Sequence, residues 1–405
     1  MPIRFLTAGE SHGPELNIIV DGIPAGLELL SADINMDLKR RQGGYGRGGR
    51  MKIEKDQVIF TGGVRLGKTL GSPIAVRILN NDYKSWDVPM SPLPLDLNDP
   101  NIKEKIDSIN SKYISKVRPG HADLTGALKY SQDDVRNILE RSSARETTSR
   151  VVAGAVCKKL LNHFKIDVIS YVLRIGSASV DINALGANYK ELFLKAENSD
   201  VRCPDVKVSE KMRKAIDEAR TKGDTLGGLT QLVAYNLPPG LGSFTHWDKR
   251  LNGRISGALM SVHTVKSVEI GLGKKVSELY GSEVHDEIFV DPAWSGNALR
   301  YKRKTNNAGG IEGGMSNGQP IICTVATKPI PTLIKPLDSI DLKTKSNTKA
   351  HFERSDICVV PAAGVVLEAM LSYALADAFL EKFGSDSILE LSDNFNRYIE
   401  RCYQR

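Results

Sequence analysis

Two histidines in glycine-bounded loops and a set of loop arginines carry the chemistry available to this sequence. His12 sits in Gly9-Glu10-Ser11-His12-Gly13, and His121 lies between Arg118 and Asp123 in Arg118-Pro119-Gly120-His121-Ala122-Asp123. Both positions are ones at which neighbours can tune a histidine across neutrality for proton transfer. His163, His246, His285 and His351 lack such neighbours and read as structural or exposed. No pair has metal-ligand spacing such as H-x-x-x-H, so no metal site is expected. Further along come Arg141-Ser142-Ser143-Ala144-Arg145-Glu146 and then the apolar helical run Val151, Val152, Ala155, Val156, Leu160. Ser143 and Glu146 have capping-box spacing. The spacing predicts a helix N-terminus with free amides, ringed by Arg141, Arg145 and Arg150, a natural seat for an anion.

The charge balance agrees with an anionic partner. The net charge is +7 and the pI about 9.0, which suits nucleic acid, a membrane surface or a multiply anionic small ligand. The distribution selects among these. Arg40, Arg41, Arg47, Arg50, Arg118, Arg141, Arg145 and Arg150 fall in Gly- and Ser-rich loops or at helix ends. Nucleic-acid binders more often show a basic stripe interleaved with aromatics, and aromatics here are only 6%. Arginines in rigid loops favour bidentate capture of carboxylate or phosphate. A polyanion-binding protein without catalysis is the rival, and it needs no cofactor. A nucleotide-dependent phosphotransferase needs a Walker-type lysine loop, and Gly271-Leu272-Gly273-Lys274-Lys275 has the wrong spacing for one.

With 405 residues the chain can bury a large core. No apolar run is read as reaching the roughly 20 residues of a membrane span, and Met1–Asp21 alternates like a strand rather than a signal peptide. The cysteines Cys157, Cys203, Cys323, Cys358 and Cys402 lie far apart, which fits reduced thiols in the cytoplasm.

Strands are expected at Arg4–Thr7, Leu16–Asp21, Gln57–Thr61 and Ile74–Leu79, with a helix capped by Ser31 and stopped by Gly43-Gly44. From Asn80 to Val117 the chain reads as a surface excursion holding one helix near Ile102–Ser111. The second half supplies a helix at Val208–Lys222, a strand at Leu229–Leu237, a helix near Asp248–Val262, a strand at Val265–Ile270 and a long apolar helix opened by Pro361. Gly44-Tyr45-Gly46-Arg47-Gly48-Gly49 matches a dinucleotide fingerprint but lacks the strand before and helix after. An arginine loop closing over an anion fits it better.

The chain also repeats itself. Gly9, Gly13, Pro24, Gly26 and Leu27 reappear at an offset of 214 as Gly223, Gly227, Pro238, Gly240 and Leu241. Gly62, Gly63, Gly67, Gly71 and Pro73 reappear at an offset of 247 as Gly309, Gly310, Gly314, Gly318 and Pro320. A weaker match sets Arg150–Gly154 beside Val360–Gly364. Matched turn residues imply matched turns, so one unit built of two similar halves, about 1–165 and 208–390, is expected. His12 has Leu226 as its counterpart, which marks His12 as functional rather than structural.

Gly9–Gly13, Arg118–Asp123 with Arg141–Glu146, and Arg354-Ser355-Asp356 leading to Pro361 together resemble the signature stretches of the chorismate synthase family. The resemblance runs from about residue 3 to 385, and Asn80–Lys116 looks like the longer of two bacterial length variants. It implies an α+β fold: an internally duplicated β-α-β sandwich with central helices between antiparallel sheets, assembled as a homotetramer. The implied reaction is the 1,4-anti elimination of phosphate from 5-enolpyruvylshikimate 3-phosphate, using reduced FMN without net redox change. By the same resemblance His12 protonates the departing phosphate and His121 the reduced flavin, while Asp356, with Ser11, handles the proton on the flavin ring nitrogen. FMN contacts are implied at Arg141, Ser142, Ser143, His263, Thr264, Gly313, Lys328, Pro329, Ile330, Pro331, Thr332 and Arg354, and anion contacts at Arg41, Arg47, Arg50, Arg118 and Arg145. His263-Thr264 stands where many members have Gln-Ala, and Lys328–Thr332 where some have a more polar run. Electrons are expected from an external flavin reductase or NADPH, since no Rossmann fingerprint is present.

Overall fold

The computed structural model describes residues 3–48, 55–293, 299–353 and 355–405; Arg50 and Arg354, both expected at the site, lie outside them. The first sheet holds β1 (Arg4–Ala8), β2 (Glu15–Asp21), β3 (Ile59–Gly62) and β4 (Ile74–Leu79) in the antiparallel order β1-β2-β4-β3. Its strands alternate, Leu16, Ile18 and Val20 on β2 and Ile74, Val76 and Ile78 on β4 turning inward, as one covered face requires. The second sheet is β8-β9-β7-β5-β6: β5 is Asp167–Ile175, β6 Ala178–Ser179, β7 Gly228–Tyr235, β8 Val265–Ile270 and β9 Ile321–Thr327.

Five helices matter to the site: α1 (Ser31–Gln42), α2 (Arg136–Ser142), α3 (Glu146–His163), α4 (Leu251–Met260) and α5 (Val360–Phe383). Helices α3 and α5 lie against each other between the sheets, α3 on β1 and β2 and α5 on β5 and β7. Their backbones nearly touch. A Cβ on Gly154 would fall 2.3 Å from that of Ala369, so only glycine lets the pair close. The chain is thus an α+β sandwich with central helices between antiparallel sheets.

Several sequence expectations change. Helix α5 is long and apolar enough to span a membrane, contrary to the reading of the bare sequence, but its residues are buried inside this fold. The run Asp167–Ile175 lies ahead of residue 208, yet it forms a central strand with Val168, Ile169, Tyr171, Val172 and Leu173 all buried. It is covered on both faces, by α5 and by the helix Val206–Lys222, so it lacks the alternation that marks a strand in sequence. Ser31 does not cap α1; the Asp33 carboxylate instead accepts from the Leu30 amide at 2.8 Å.

The hairpin turns of the two sheets share a hydrogen-bond pattern. Thr69 donates through Oγ1 to the Pro24 carbonyl at 2.5 Å and accepts from the Leu27 amide at 3.0 Å. Ser316 does the same with Pro238 at 2.7 Å and Leu241 at 2.8 Å. Gly63 and Gly310 both hold positive φ, with a notional Cβ 2.4 Å from the Pro73 oxygen and 2.5 Å from the Pro320 oxygen.

At the centre a buried carboxylate fastens the layers. Glu368 of α5 accepts from both Arg40 nitrogens of α1 at 2.8 Å, from Lys158 of α3 at 3.1 Å, from Arg202 at 2.9 Å and from Ser170 of β5 at 2.7 Å. Removing one member strands the others' charge in a medium that cannot solvate it. Glu368→Ala is expected to cost about 3–5 kcal/mol, read as a lowered midpoint in urea denaturation; a midpoint equal to wild type refutes the role.

Candidate active site

The loop between β1 and β2 presents His12, and α2 holds it. The His12 amide donates to Glu140 Oε2 at 2.8 Å, and its Nδ1 lies 2.8 Å from Glu140 Oε1. Arg136, one turn earlier on α2, reaches the same carboxylate at 3.2 Å. Burial pushes the Glu140 carboxyl up, but the His12 ring and Arg136 outweigh it and hold it below its ordinary value. Ser11 is buried, its hydroxyl 3.1 Å from that of Ser143, and its amide donates to the Glu140 carbonyl at 3.0 Å. Arg141 grips the other end of the loop through the Thr7 carbonyl at 2.8 Å and the Gly9 carbonyl at 3.2 Å.

The capping box expected at Ser143 and Glu146 is not formed. Ser143 Oγ turns to Ser11, and Glu146 binds Arg150 at 2.9 Å. The amides of Glu146, Thr147 and Thr148 donate to the carbonyls of Ser143, Ala144 and Arg145. The start of α3 therefore has no open amide nest formed by these three amides. Ser142 turns its hydroxyl onto the Ile138 carbonyl of its own helix at 2.7 Å.

His121 is built the same way as His12, on a different carboxylate. Its Nδ1 lies 2.5 Å from Asp123 Oδ1, while Arg118 grips Asp123 at 2.8 and 3.0 Å and Thr332 at 3.0 Å. Burial raises the Asp123 carboxyl, yet His121 and Arg118 together hold it far below its usual range. Arg118 thereby positions His121. Lys328 donates through Nζ to the Gly120 carbonyl at 2.5 Å and through its amide to the Thr264 carbonyl at 2.8 Å. That brings Thr264, Lys328 and Thr332 alongside His121. Ile330 is fixed by the Thr225 hydroxyl at 2.7 Å, and Pro331 lies against Gly120.

His263 joins the two histidine groups. Burial lowers its pKa; Glu146 opposes this, whereas Arg150, His121 and Arg141 reinforce it. The charges acting on it include His121 and Arg141, the arginine that grips the His12 loop. Gly313 lies in the hairpin Ile311–Ser316, which is tied to Leu241 and Leu251.

A third group supplies positive charge. Arg41 is buried and donates to Thr147 Oγ1 at 2.9 Å and to the Ala144 carbonyl at 2.8 Å. Its Nη1 makes no hydrogen bond among the described residues; Asp56 lies 3.8 Å away. Burial and neighbouring Arg47 push Arg41 down to about 9, with Asp56 opposing and Arg145 adding to the repulsion. An anion relieves such crowding. Arg145 itself is a pin, bound to Asp56 at 2.6 Å and Asn80 at 2.8 Å. Arg47 pairs with Asp356 at 2.8 Å, and the Gly48 amide donates to the same carboxylate at 2.5 Å. Asp356, Thr332, Thr225 and Asp224 line a cavity of about 200 Å³. No described contact brings Ser11 to Asp356.

Sequence reasoning passed over Glu140, Arg136 and Trp86. Glu140 directly precedes the arginine that opens the Arg141–Glu146 stretch, and an acid four residues after Arg136 was the available signal. Trp86 lies 74 positions from His12 in the chain, and nothing local marks it.

Proton transfer to and from a multiply anionic small molecule is what such a constellation does, and that places the protein among acid–base enzymes. Comparison with known proteins narrows the class. A family model described as chorismate synthase matches residues 3–380. The chorismate synthase of Syntrophotalea carbinolica is 51% identical over 398 residues, covering 98% of each chain. That of Aquifex aeolicus is 50% identical over 403 residues, 98% of this chain and 97% of its own. A crystal structure of chorismate synthase matches with a TM-score of 0.78 at 41% identity, covering 100% of this chain and 99% of that one. The chain belongs to the chorismate synthase family.

The held carboxylates set an acid limit. Glu353, bound by Arg136 at 2.8 Å, is raised by burial but pulled down to about 2 by His351 and Arg136. A carboxylate depressed in the fold contributes stability above its unfolded value of 4.5, lost as pH falls through the folded one. Thermal stability is expected to be flat from about pH 7 to 5 and to drop below about 4.5. Glu353→Gln flattens part of that drop, and an unchanged slope in calorimetry contradicts the assignment.

Proposed function

We propose that this chain eliminates phosphate from 5-enolpyruvylshikimate 3-phosphate in the 1,4-anti sense, giving chorismate, with reduced FMN and no net redox change. The observation that carries the reading is the convergence of two histidine–carboxylate pairs and a surplus of guanidinium groups around His263 and the Asp356 cavity, in a chain of this family. The substrate bears a phosphate and two carboxylates, which a site with Arg41 and Arg47 accommodates.

His12, with Nδ1 held by Glu140, delivers a proton to the departing phosphate. Arg41 and Arg47 take up the negative charge that develops, at groups already oriented before reaction. Asp356, backed by Arg47, is the carboxylate placed to hold a proton in the cavity. His121, fixed by Asp123 and Arg118, holds a proton beside the strip formed by Thr264 and Lys328–Thr332. That strip suits a flavin phosphate and heteroaromatic edge: Lys328 is cationic and surrounded by carbonyls and amides, and His263 has its basicity lowered by burial. Residues that would hold FMN there are Arg141, Ser143, His263, Thr264 and Lys328–Thr332. When bound, reduced FMN supplies transient electron density to the substrate and is returned unchanged.

The arginines favour this reading over polyanion binding, because Arg41, Arg118 and Arg145 are buried rather than displayed. Electrons come from an external flavin reductase or NADPH; the segment that opens at Gly44 follows a helix, not a strand, which does not suit a dinucleotide fold. A homotetramer in the cytoplasm completes the proposal. Ile288, Phe289 and Val290 are exposed together on the ribbon Ile288–Val290/Tyr301–Arg303, which suits burial by another copy, and all five cysteines are free thiols. Internal duplication is supported by the paired turns at Thr69 and Ser316 and by the matched strand orders β1-β2-β4-β3 and β5-β7-β9-β8. With β5 counted in, the second half reaches back to Asp167.

Purified protein with excess reduced FMN under nitrogen is expected to release phosphate and form chorismate; no phosphate release overturns the reading. His12→Ala and His121→Ala are each expected to lower kcat by about 10²–10⁴-fold while retaining the fold. Turnover near wild type removes the affected histidine from the mechanism.

A further inference from the structure

The excursion from Asn80 to Val117 is rooted in the His12 loop. The Asn80 amide donates to the Pro14 carbonyl at 3.0 Å, and its Nδ2 to the Gly13 carbonyl at 2.7 Å and the Glu10 carbonyl at 3.2 Å. Its Oδ1 accepts from Arg145 at 2.8 Å. A 3-10 turn, Asn81–Ser85, follows and delivers Trp86. The indole lies on the His12 imidazole, ring centroids 4.0 Å apart and planes inclined by 21°. The far end of the excursion returns to the same ring. Lys112 Nζ sits 4.4 Å from the indole centroid and the Arg136 guanidinium 5.0 Å, while Arg136 also donates to the Lys112 carbonyl at 3.0 Å.

A ring hydrogen-bonded at its edge gains from a contact across its face. Glu140 fixes His12 through Nδ1 and the main-chain amide, both in or near the imidazole plane. A face-on indole supplies the missing constraint and keeps water off the His12–Glu140 pair. Arg136 ties both elements together, binding the Glu140 carboxylate and covering the indole.

We propose that Trp86 is a positioning residue for His12, and that holding it there is the task of the excursion. The inference rests on the reading of His12 as the acid that serves the leaving phosphate. Trp86→Leu is expected to lower kcat by about 3- to 10-fold, the worth of one stacked aromatic pair, with KM within about twofold. Trp86→Phe restores most of the loss. In the flavin-free, substrate-free protein, proton NMR of the His12 ring is expected to move downfield in Trp86→Leu as the indole ring current is lost. Trp86→Leu added to His12→Ala is expected to cost nothing more. An unmoved His12 resonance, or kcat within twofold of wild type in Trp86→Leu, overturns the proposal while leaving the His12 assignment intact. Full activity in His12→Ala overturns both. An equal loss on adding Trp86→Leu to His12→Ala shows that Trp86 acts elsewhere and also refutes the proposal.

Discussion

The ion cluster around Glu368 is the constraint on which the remaining geometry depends. Three carboxylates, Asp37, Glu197 and Glu368, face three cations, Arg40, Lys158 and Arg202. A lone carboxylate this deep is untenable; burial raises the Glu368 pKa, and the cations, led by Arg40, overcome it and keep the group ionised. The cluster gives α1, α3, α5 and β5 one shared orientation rather than a merely greasy contact. It also reaches the site by the shortest route. Arg40 and Arg41 are consecutive on α1, and consecutive helical side chains point about 100° apart. With Arg40 fastened to Glu368, Arg41 is turned onto Thr147 and Ala144 at the start of α3.

Charge in the site is divided by function. Carboxylates are assigned to imidazoles, Glu140 to His12 and Asp123 to His121, or to Arg47 through Asp356. The guanidinium groups of Arg41, Arg47 and Arg145 stay crowded, with Asp56 shared between Arg41 and Arg145 and Asp356 on Arg47. Crowded cations in a poorly solvated setting disfavour the empty site and favour an anion there. In the proposed reaction the same cations would stabilise charge appearing on a leaving phosphate without having to move. Arg118 and Arg145 show a second use of arginine: each holds another group in place, Asp123 with His121 in one case and Asp56 with Asn80 in the other.

The elements with clear periodicity were legible in the sequence: β2, β4, β8, α1, α3, α5 and the helix of the excursion all fall near their expected places. His12, His121 and the arginine loops stand out in the sequence because glycines and charged neighbours mark them, and the structure pairs each of these histidines with a carboxylate. What escaped has physical reasons. Strand β5 is covered on both faces and has no alternation. Ser143 and Glu146 match a cap by spacing, but Ser11 and Arg150 are better partners in three dimensions. The Arg41 and Arg145 side chains look equivalent in sequence, and only Asp56 and Asn80 separate their tasks. Trp86 sits in a Pro- and Asp-rich stretch whose path back to His12 is set by Asn80, a contact that no local pattern encodes.

Helix α5 fills the space between the sheets, yet it is made from residues 360–383. A ribosome that has released the first 359 residues has therefore produced every strand of both sheets without the element that covers them. Until α5 emerges, Gly154 lacks Ala369, Arg40 lacks Glu368, and the apolar faces of α3 and β7 stay wet. Such a nascent chain offers sticky surface over most of its synthesis, an exposure set by the order in which the fold is written.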